Sequence, residues 1–378
     1  MDTQHIIINA HLLSGQAGYR SAGIHGYIYH LLAHLPEAAP DWRFTALVGD
    51  GHPPQVPGLK THRTRWAARS PLYRIAWEQG MMPRQVHHLE ANLVHGTAFV
   101  NPLRLPVPGV ITVHDLSFLR FPQALGRARR TYLQQFTRRS CEQAAHIIAV
   151  SASTARDVQQ LLGIPEEKIS IVVHGRGEEF RPLPEADIAA FRERPDVPAR
   201  FILHVGTLEP RKNLPLLLRA YAGLPTALRQ DVHLVLIGGR GWDYAPIFQT
   251  IEQHDLSEYV HLAGYVPTQE LPFWYNAADI LVFPSVYEGW GFPIVEAMAC
   301  GCPIVISNSS SLPEAAGAVG LHIAPDDEIA WRDALEHALT DTAWQAGCRQ
   351  AGIVRAASFS WARTAQETIA VYRHAIKQ

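Results

Sequence analysis

Ala278-Asp279-Ile280-Leu281-Val282-Phe283-Pro284-Ser285, then Val286 and Tyr287, then Glu288-Gly289-Trp290-Gly291-Phe292-Pro293-Ile294-Val295-Glu296, sets out one repeat of an α/β fold. The apolar run to Phe283, ended by Pro284, suits a buried parallel strand that stops at a loop. Beyond Glu296, the helix formers Ala297-Met298-Ala299 are halted by Gly301 and Pro303. The order is therefore strand, carboxylate-bearing loop, helix. In an open α/β sheet such loops leave the carboxyl ends of the strands, where ligands bind. Glu288 is expected in that loop, and Glu296 about two turns on, at a helix start.

The same pattern stands upstream. Phe201-Ile202-Leu203-His204-Val205 reads as an apolar strand, and Gly206-Thr207-Leu208-Glu209-Pro210 as a loop ending in the basic pair Arg211-Lys212. Asn213 is a candidate N-cap, and Pro215 suits the first turn of a helix from Leu214 to Leu224. Cations beside a helix N-terminus are repelled by its dipole unless an anion sits with them. A diphosphate would supply that anion.

Apolar runs and amphipathic stretches alternate along the whole chain. In the first half Ile6–Ala10, Phe44–Val48, Leu93–His95, Val110–Val113 and His146–Val150 read as strands, and Ile24–Leu35, Ala124–Gln143 and Ser153–Leu162 as helices. In the second, the strands are Phe201–Val205, Val232–Ile237, Val260–Ala263, Ile280–Phe283 and Ile304–Ser307. Alternation of this kind gives doubly wound parallel sheets. The reading is two Rossmann-like α/β domains with a cleft between them, 1–175 and 201–360, joined by the Gly- and Pro-rich stretch 176–200. The segment 361–378 reads as a helix with no strand of its own.

At 378 residues, 47% hydrophobic and 18% charged, the chain has length enough for two full cores. No apolar run is long enough to span a bilayer, and the N-terminus does not read as a secretory signal, so a cytoplasmic protein is expected. Cys141, Cys300, Cys302 and Cys348 lack a second pair at metal spacing and read as reduced, buried thiols. The net charge of −2 is unevenly spread, for residues 1–175 carry 17 Lys and Arg against 11 Asp and Glu. Lys60, Arg63, Arg65, Arg69, Arg74 and Arg84 alternate with Trp66, Tyr73 and Trp77, and Arg127, Arg129, Arg130, Arg138 and Arg139 surround Tyr132 and Phe136. Such a surface suits peripheral contact with an anionic membrane, at its inner face. No helix-turn-helix, zinc-finger or RNA-binding pattern accompanies it, so no nucleic-acid partner is expected.

The two glutamates separated by seven residues, together with Arg211-Lys212 after an earlier strand, resemble the retaining nucleotide-sugar glycosyltransferases of the GT-B fold, family 4. The resemblance implies that Arg211 and Lys212 clamp the donor diphosphate, Glu288 faces the donor sugar and Glu296 accepts hydrogen bonds from the ribose. Gly206 and Thr207, with Gly289, Trp290, Gly291 and Phe292, would line the donor, and Gly264-Tyr265-Val266 would read the base through its backbone. In the first half, Tyr19 to Tyr27 resembles the family's glycine-rich loop beneath the donor phosphates, with Gly23 and Gly26 as its glycines. His25 stands there where a glycine is usual and Gly26 where an arginine is frequent. Val113-His114-Asp115 matches a His-Asp pair whose histidine reaches the donor sugar; Asp115 is expected to orient it. Ser151 reads as a helix cap. The C-terminal helix, by the same resemblance, crosses back to the first domain.

No carboxylate of the matched set belongs beneath the anomeric carbon, so the resemblance implies front-face attack in which the leaving phosphate takes the acceptor proton. No metal and no cofactor are expected, since no Asp-x-Asp follows a strand and the basic pair replaces a cation. His114-Asp115-Leu116-Ser117-Phe118 with Arg120-Phe121-Pro122 looks most like members that move mannose or a related sugar from GDP-linked donors to saccharide or lipid-linked acceptors in polysaccharide biosynthesis. A UDP-glucose-type donor, a nucleotide-sugar epimerase and a non-catalytic nucleotide-sugar-binding protein stand as alternatives. A nicotinamide dehydrogenase fits poorly, because Gly239-Arg240-Gly241 has Tyr244 where a third glycine belongs.

Overall fold

The structure is a computed structural model that describes residues 3–13, 23–64 and 71–377. The chain divides into two compact units, residues 1–175 with 360–378, and residues 176–359.

The first unit is built on seven parallel strands: β1 (His5–Asn9), β2 (Arg43–Val48), β3 (Leu59–Arg63), β4 (Leu93–Gly96), β5 (Gly109–Val113), β6 (His146–Ala149) and β7 (Ile169–Ile171). They lie in the order β3-β2-β1-β4-β5-β6-β7. Ile6, Ile7 and Ile8 are all fully buried, as a central strand covered on both faces requires. The Trp361–Ile376 helix belongs to this unit and packs on the Ile24–Ala38 helix. Tyr372 Oη lies 2.6 Å from His95 Nδ1 in the core, and Thr364 Oγ1 donates to the Val173 carbonyl at 2.8 Å. The fold thus includes the C-terminal helix returning to the first sheet. Among the described residues, no helix is long and apolar enough to cross a membrane.

The second unit has six parallel strands, β8 (Phe201–Val205), β9 (His233–Ile237), β10 (Val260–Gly264), β11 (Ile280–Phe283), β12 (Ile304–Ser307) and β13 (Leu321–Ile323), in the order β10-β9-β8-β11-β12-β13. Residues 176–200, expected as a connection, group with this unit and contain the helix Glu185–Arg192. Asn276 pins the stretch by accepting from the Leu183 amide at 2.9 Å and donating to the Arg181 carbonyl at 3.0 Å.

Three strands were absent from the sequence reading: β3, β7 and β13. Each is a sheet edge. In β3, Lys60, Thr61, His62 and Arg63 are exposed, so no apolar run marks it, and its charges protect the open edge.

Candidate active site

In each sheet the strand order reverses direction once, and there the loops diverge to leave a crevice. In the second unit this switch falls between β8 and β11, paired through Ile202 with Ile280 and Leu203 with Leu281. Arg211 and Lys212 follow β8; Glu288 follows β11. Sheet topology alone therefore brings together groups more than seventy residues apart in sequence.

Their contact is direct. Arg211 Nη1 donates to Glu288 Oε2 at 2.5 Å and to the Tyr287 carbonyl at 2.7 Å, while Lys212 Nζ donates to Glu288 Oε1 at 2.6 Å. Arg211 Nε also donates to Glu209 Oε1 at 2.9 Å. The pair sits on the 3₁₀ turn Pro210–Lys212, held by a bond from the Val286 amide to the Arg211 carbonyl at 3.0 Å. Gly206 leaves room for this arrangement, since a Cβ there would stand 3.3 Å from both the Lys212 Cε and the His204 Nε2. Lys212 also packs over the Phe283 ring at 4.8 Å, an added attraction for a buried cation.

The anion that the basic pair needs is therefore, in the first instance, the protein's own Glu288, supported by Glu209. Sequence reasoning assigned that place to a diphosphate because Glu288 stands 77 residues from Arg211 in the chain and only the fold brings it there, while Glu209, two residues away, gave no sign of pairing. Lys212 retains N–H donors beyond the one given to Glu288, and the two cations stand at the carboxyl edge of the sheet beside the Leu214–Ala222 helix. Burial works to raise the Glu288 pKa, but the charges of Arg211 and Lys212 outweigh it and hold the carboxyl at about 2. Burial lowers the Lys212 pKa, with Glu288 opposing. Glu288 is thus an anionic acceptor at neutral pH, with each oxygen bound to a cation and no proton to give.

Asn213 does not cap the following helix with its side chain. It lies in the left-handed region at φ 56°, and its Nδ2 donates to the Pro325 carbonyl at 2.6 Å and the Pro284 carbonyl at 3.3 Å, tying the loop to its neighbours. The backbone around Glu288 is set by two serines that sequence reading passed over: the Glu288 amide donates to Ser310 Oγ at 2.9 Å, and Ser311 Oγ donates to the Glu288 carbonyl at 3.0 Å.

Glu296 is the fifth residue of the helix Phe292–Ala299, one turn in rather than at its start. It is half-buried and accepts from Tyr275 Oη at 2.8 Å. Burial raises its pKa to about 7, with Tyr275 opposing and Glu179 adding to the rise. Of the other expected donor contacts, Gly291 is the residue before this helix, packed so that a Cβ would meet Ile294 Cδ1 at 3.1 Å. Gly289 is buried and Phe292 half-buried; Trp290 is buried edge-on against Phe359 at 5.4 Å. Thr207 is half-buried after β8, and Tyr265 and Val266 follow β10, with Tyr265 exposed.

In the first unit His114 follows β5 and is buried. Its Nε2 lies 2.9 Å from the Thr97 carbonyl, so Nε2 carries the proton and Nδ1 the lone pair. Burial lowers its pKa to about 4, against the Thr97 carbonyl and Asp115. Asp115 accepts from the Ser117 amide at 2.9 Å and orients the loop. Ser151 caps its helix by accepting from the Thr154 amide at 3.0 Å. Gly23 precedes the Ile24–Ala38 helix at φ 63°, a conformation suited to glycine, and Gly26 lies in its first turn; at both, no atom of the described residues lies within 4 Å of where a Cβ would stand. Tyr19 to Ala22 of the expected glycine-rich loop lie outside the described residues, as do Arg65, Trp66, Arg69 and the side chain of Arg74. Two of the first unit's arginines bind backbone: Arg63 donates to the Gly49 and Gly51 carbonyls, and Arg138 to those of Leu161 and Leu162. Among the described residues no three His, Cys, Asp or Glu side chains gather as a metal-ligand set.

Comparison with known proteins gives the same architecture. Residues 22–176 match the family described as Glycosyltransferase Family 4, and residues 187–355 match Glycosyl transferases group 1. O-antigen chain mannosyltransferase B of Escherichia coli is 34% identical over 282 residues, covering 74% of this chain and 74% of that protein. Sucrose-phosphate synthase of Thermosynechococcus elongatus superposes with a TM-score of 0.79 over 98% of both chains at 22% identity. Anabaena Alr3699/HepE in complex with UDP-glucose superposes with a TM-score of 0.72 over 98% of this chain and 99% of that one, at 20% identity. Both halves matched in order, with a relative so similar over so much of its length, mean that this chain belongs to the group 1, family 4 glycosyltransferases of the GT-B fold.

Proposed function

We propose that this glycosyltransferase moves mannose or a related hexose from a GDP-linked donor to a saccharide or lipid-linked acceptor, with retention of anomeric configuration and without a metal. The observation that carries the reading is the convergence of Arg211 and Lys212 on Glu288 at the switch point of the second sheet. Cleaving a sugar from a nucleoside diphosphate leaves an added phosphate charge, and cations already fixed in place stabilise that charge without reorganising. Arg211 and Lys212 are fixed by Glu288, Glu209 and the Tyr287 carbonyl. In this reading Lys212 turns its remaining donors to the diphosphate, Arg211 adds its positive charge beside it, and the pair takes the role a divalent ion plays elsewhere.

Glu288, anionic and bonded through both oxygens, suits neither proton donation nor free nucleophilic attack. Its part is to set the two cations and, at the edge of that cluster, to face the donor sugar. With no protein nucleophile assigned, the acceptor proton passes to the leaving phosphate and attack comes from the same face. Glu296 receives the ribose hydroxyls on its carboxylate. His114, with its lone pair on Nδ1, would accept a hydrogen bond from a sugar hydroxyl.

Mannose is supported by the 34% identity to an O-antigen chain mannosyltransferase. A UDP-glucose-type donor is the second reading, supported by the likeness of the fold to a protein solved with UDP-glucose. A thermal-shift panel of GDP, UDP, ADP and dTDP, followed by transfer assays with the sugar donors of the stabilising base, separates the two. The largest shift with GDP, and transfer from GDP-mannose, is the expected result; stabilisation by UDP alone would replace the donor, and sugar-nucleotide turnover with no acceptor dependence would favour an epimerase.

A further inference from the structure

We infer that Tyr275 is a positioning residue for nucleotide capture: it holds one carboxylate oxygen of Glu296 and thereby aims the other at the ribose diol. The inference rests on the reading of Glu296 as the ribose-binding group and adds to it a residue from a different element.

Tyr275 belongs to the helix Leu271–Ala277, directly before β11. Its side chain is fully buried, set edge-on to Phe180 at 6.0 Å, and its hydroxyl donates to Glu296 Oε2 at 2.8 Å. The next residue, Asn276, fixes the same helix to the 181–183 segment. The phenol therefore sits on a rigid mount on two sides. Glu296 Oε1, by contrast, has no hydrogen-bond partner among the described residues, and the side chain is half-buried, so this oxygen is the one left for a ligand. A carboxylate with both oxygens unheld rotates about its terminal torsion, which is broad and roughly two-fold. With Oε2 held, the free oxygen has one direction.

The surroundings of Glu296 make that bond matter. Glu179 from the 176–184 segment and Cys300 from its own helix face it, and Tyr275 comes from the helix packed against it. Burial and Glu179 favour the protonated acid, whereas the Tyr275 hydroxyl favours the carboxylate, the form that accepts hydrogen bonds from hydroxyls. Removing the hydroxyl thus both frees the carboxylate and moves its titration to higher pH.

The test is the affinity of wild type, Tyr275→Phe and Glu296→Gln for GDP and UDP and for their 2′,3′-dideoxy forms, from pH 6 to 9, using whichever base the wild type binds more tightly. Wild type is expected to prefer the diol form, and Glu296→Gln to lose that preference. Tyr275→Phe is expected to reduce it about tenfold, the size of one hydrogen bond to a charged group, and to shift its acid limb to higher pH. An unchanged preference and pH profile in Tyr275→Phe, with the preference lost in Glu296→Gln, would overturn the role of Tyr275 and leave the ribose site standing. A preference absent from wild type, or kept in Glu296→Gln, would overturn the ribose site itself. Glu296→Asp, which keeps the charge but withdraws it by one methylene from the Tyr275 hydroxyl, gives the same reading should Tyr275→Phe fail to fold; full diol preference there would contradict the inference.

Discussion

Lys212 Nζ lies 2.6 Å from one oxygen of Glu288 while Arg211 binds the other, so the two cations share a single buried anion. The Glu288→Gln variant separates their attraction for a diphosphate from their need for a partner. Losing one member of a buried charge cluster costs roughly 3 kcal/mol or more of stability. The two cations, with only Glu209 left as a counter-charge, should bind free nucleoside diphosphate more tightly than wild type while turnover falls. Titration calorimetry on the variant checks this, and a fall in diphosphate affinity would contradict it.

Arg211→Ala and Lys212→Ala should each lower kcat by about a hundredfold or more, as removal of a preorganised donor to a developing charge does. Lys212→Ala leaves Arg211 as the remaining cation on Glu288 and should also lower the melting temperature. Steady-state kinetics with wild-type kcat in either variant would remove the leaving-group role. Excess EDTA in the same assay should leave transfer unchanged; inhibition reversed by Mg²⁺ or Mn²⁺ would assign that role to a metal.

Acid should loosen the first unit before the second. Burial lowers the pKa of His95 to about 3 and of His114 to about 4, so both stay neutral in the fold and take protons on unfolding. Their contribution is complete above the unfolded value near 6.5 and is lost as pH falls toward the folded values. From pH 7 to 5.5 that amounts to about 1 kcal/mol for each. In the second unit His204, lowered to about 3 by burial, works in the same sense. Glu296, raised to about 7, works in the opposite one, because acidification relieves its buried charge. Hydrogen exchange read by mass spectrometry at the two pH values should show faster opening confined to residues 3–175 and 360–377; equal loss in both units would contradict the assignment.

Much of this was legible in the chain. The core strands of both sheets announce themselves as apolar runs, and β8, β11 and β12 fall on the residues read for them. Three of the four edge strands, β3, β7 and β13, do not: β3, for one, presents Lys60, Thr61, His62 and Arg63 to solvent and carries no apolar period. Arg211, Lys212 and Glu288 are visible as types and spacings, yet their mutual contact is a product of strand order. Tyr275 gives no local signal at all: in Leu271-Pro272-Phe273-Trp274-Tyr275 it reads as one more core aromatic, and its hydroxyl acquires meaning from a helix twenty-one residues away.

The basic first unit should make vesicle binding salt-sensitive. Lys60, Arg84 and Arg129 are exposed there, as is Tyr73. If the acceptor is lipid-linked, pelleting with anionic vesicles should weaken steeply as the Debye length shrinks from roughly 10 Å at 0.1 M salt to about 3 Å at 1 M. Replacing Arg63, Arg65, Arg69 and Arg74 with Gln should then lower transfer to a lipid acceptor while spontaneous donor hydrolysis is unaffected. No association at low salt would point to a soluble acceptor.

The most direct measurement is the anomeric configuration of the product formed from GDP-α-mannose and an oligosaccharide acceptor in the presence of EDTA, read by NMR. The expected result is an α-linked mannoside, formed in wild type and lost in Lys212→Ala. A β-linked product, or no product without added divalent metal, would contradict a metal-free retaining transfer organised by Arg211, Lys212 and Glu288.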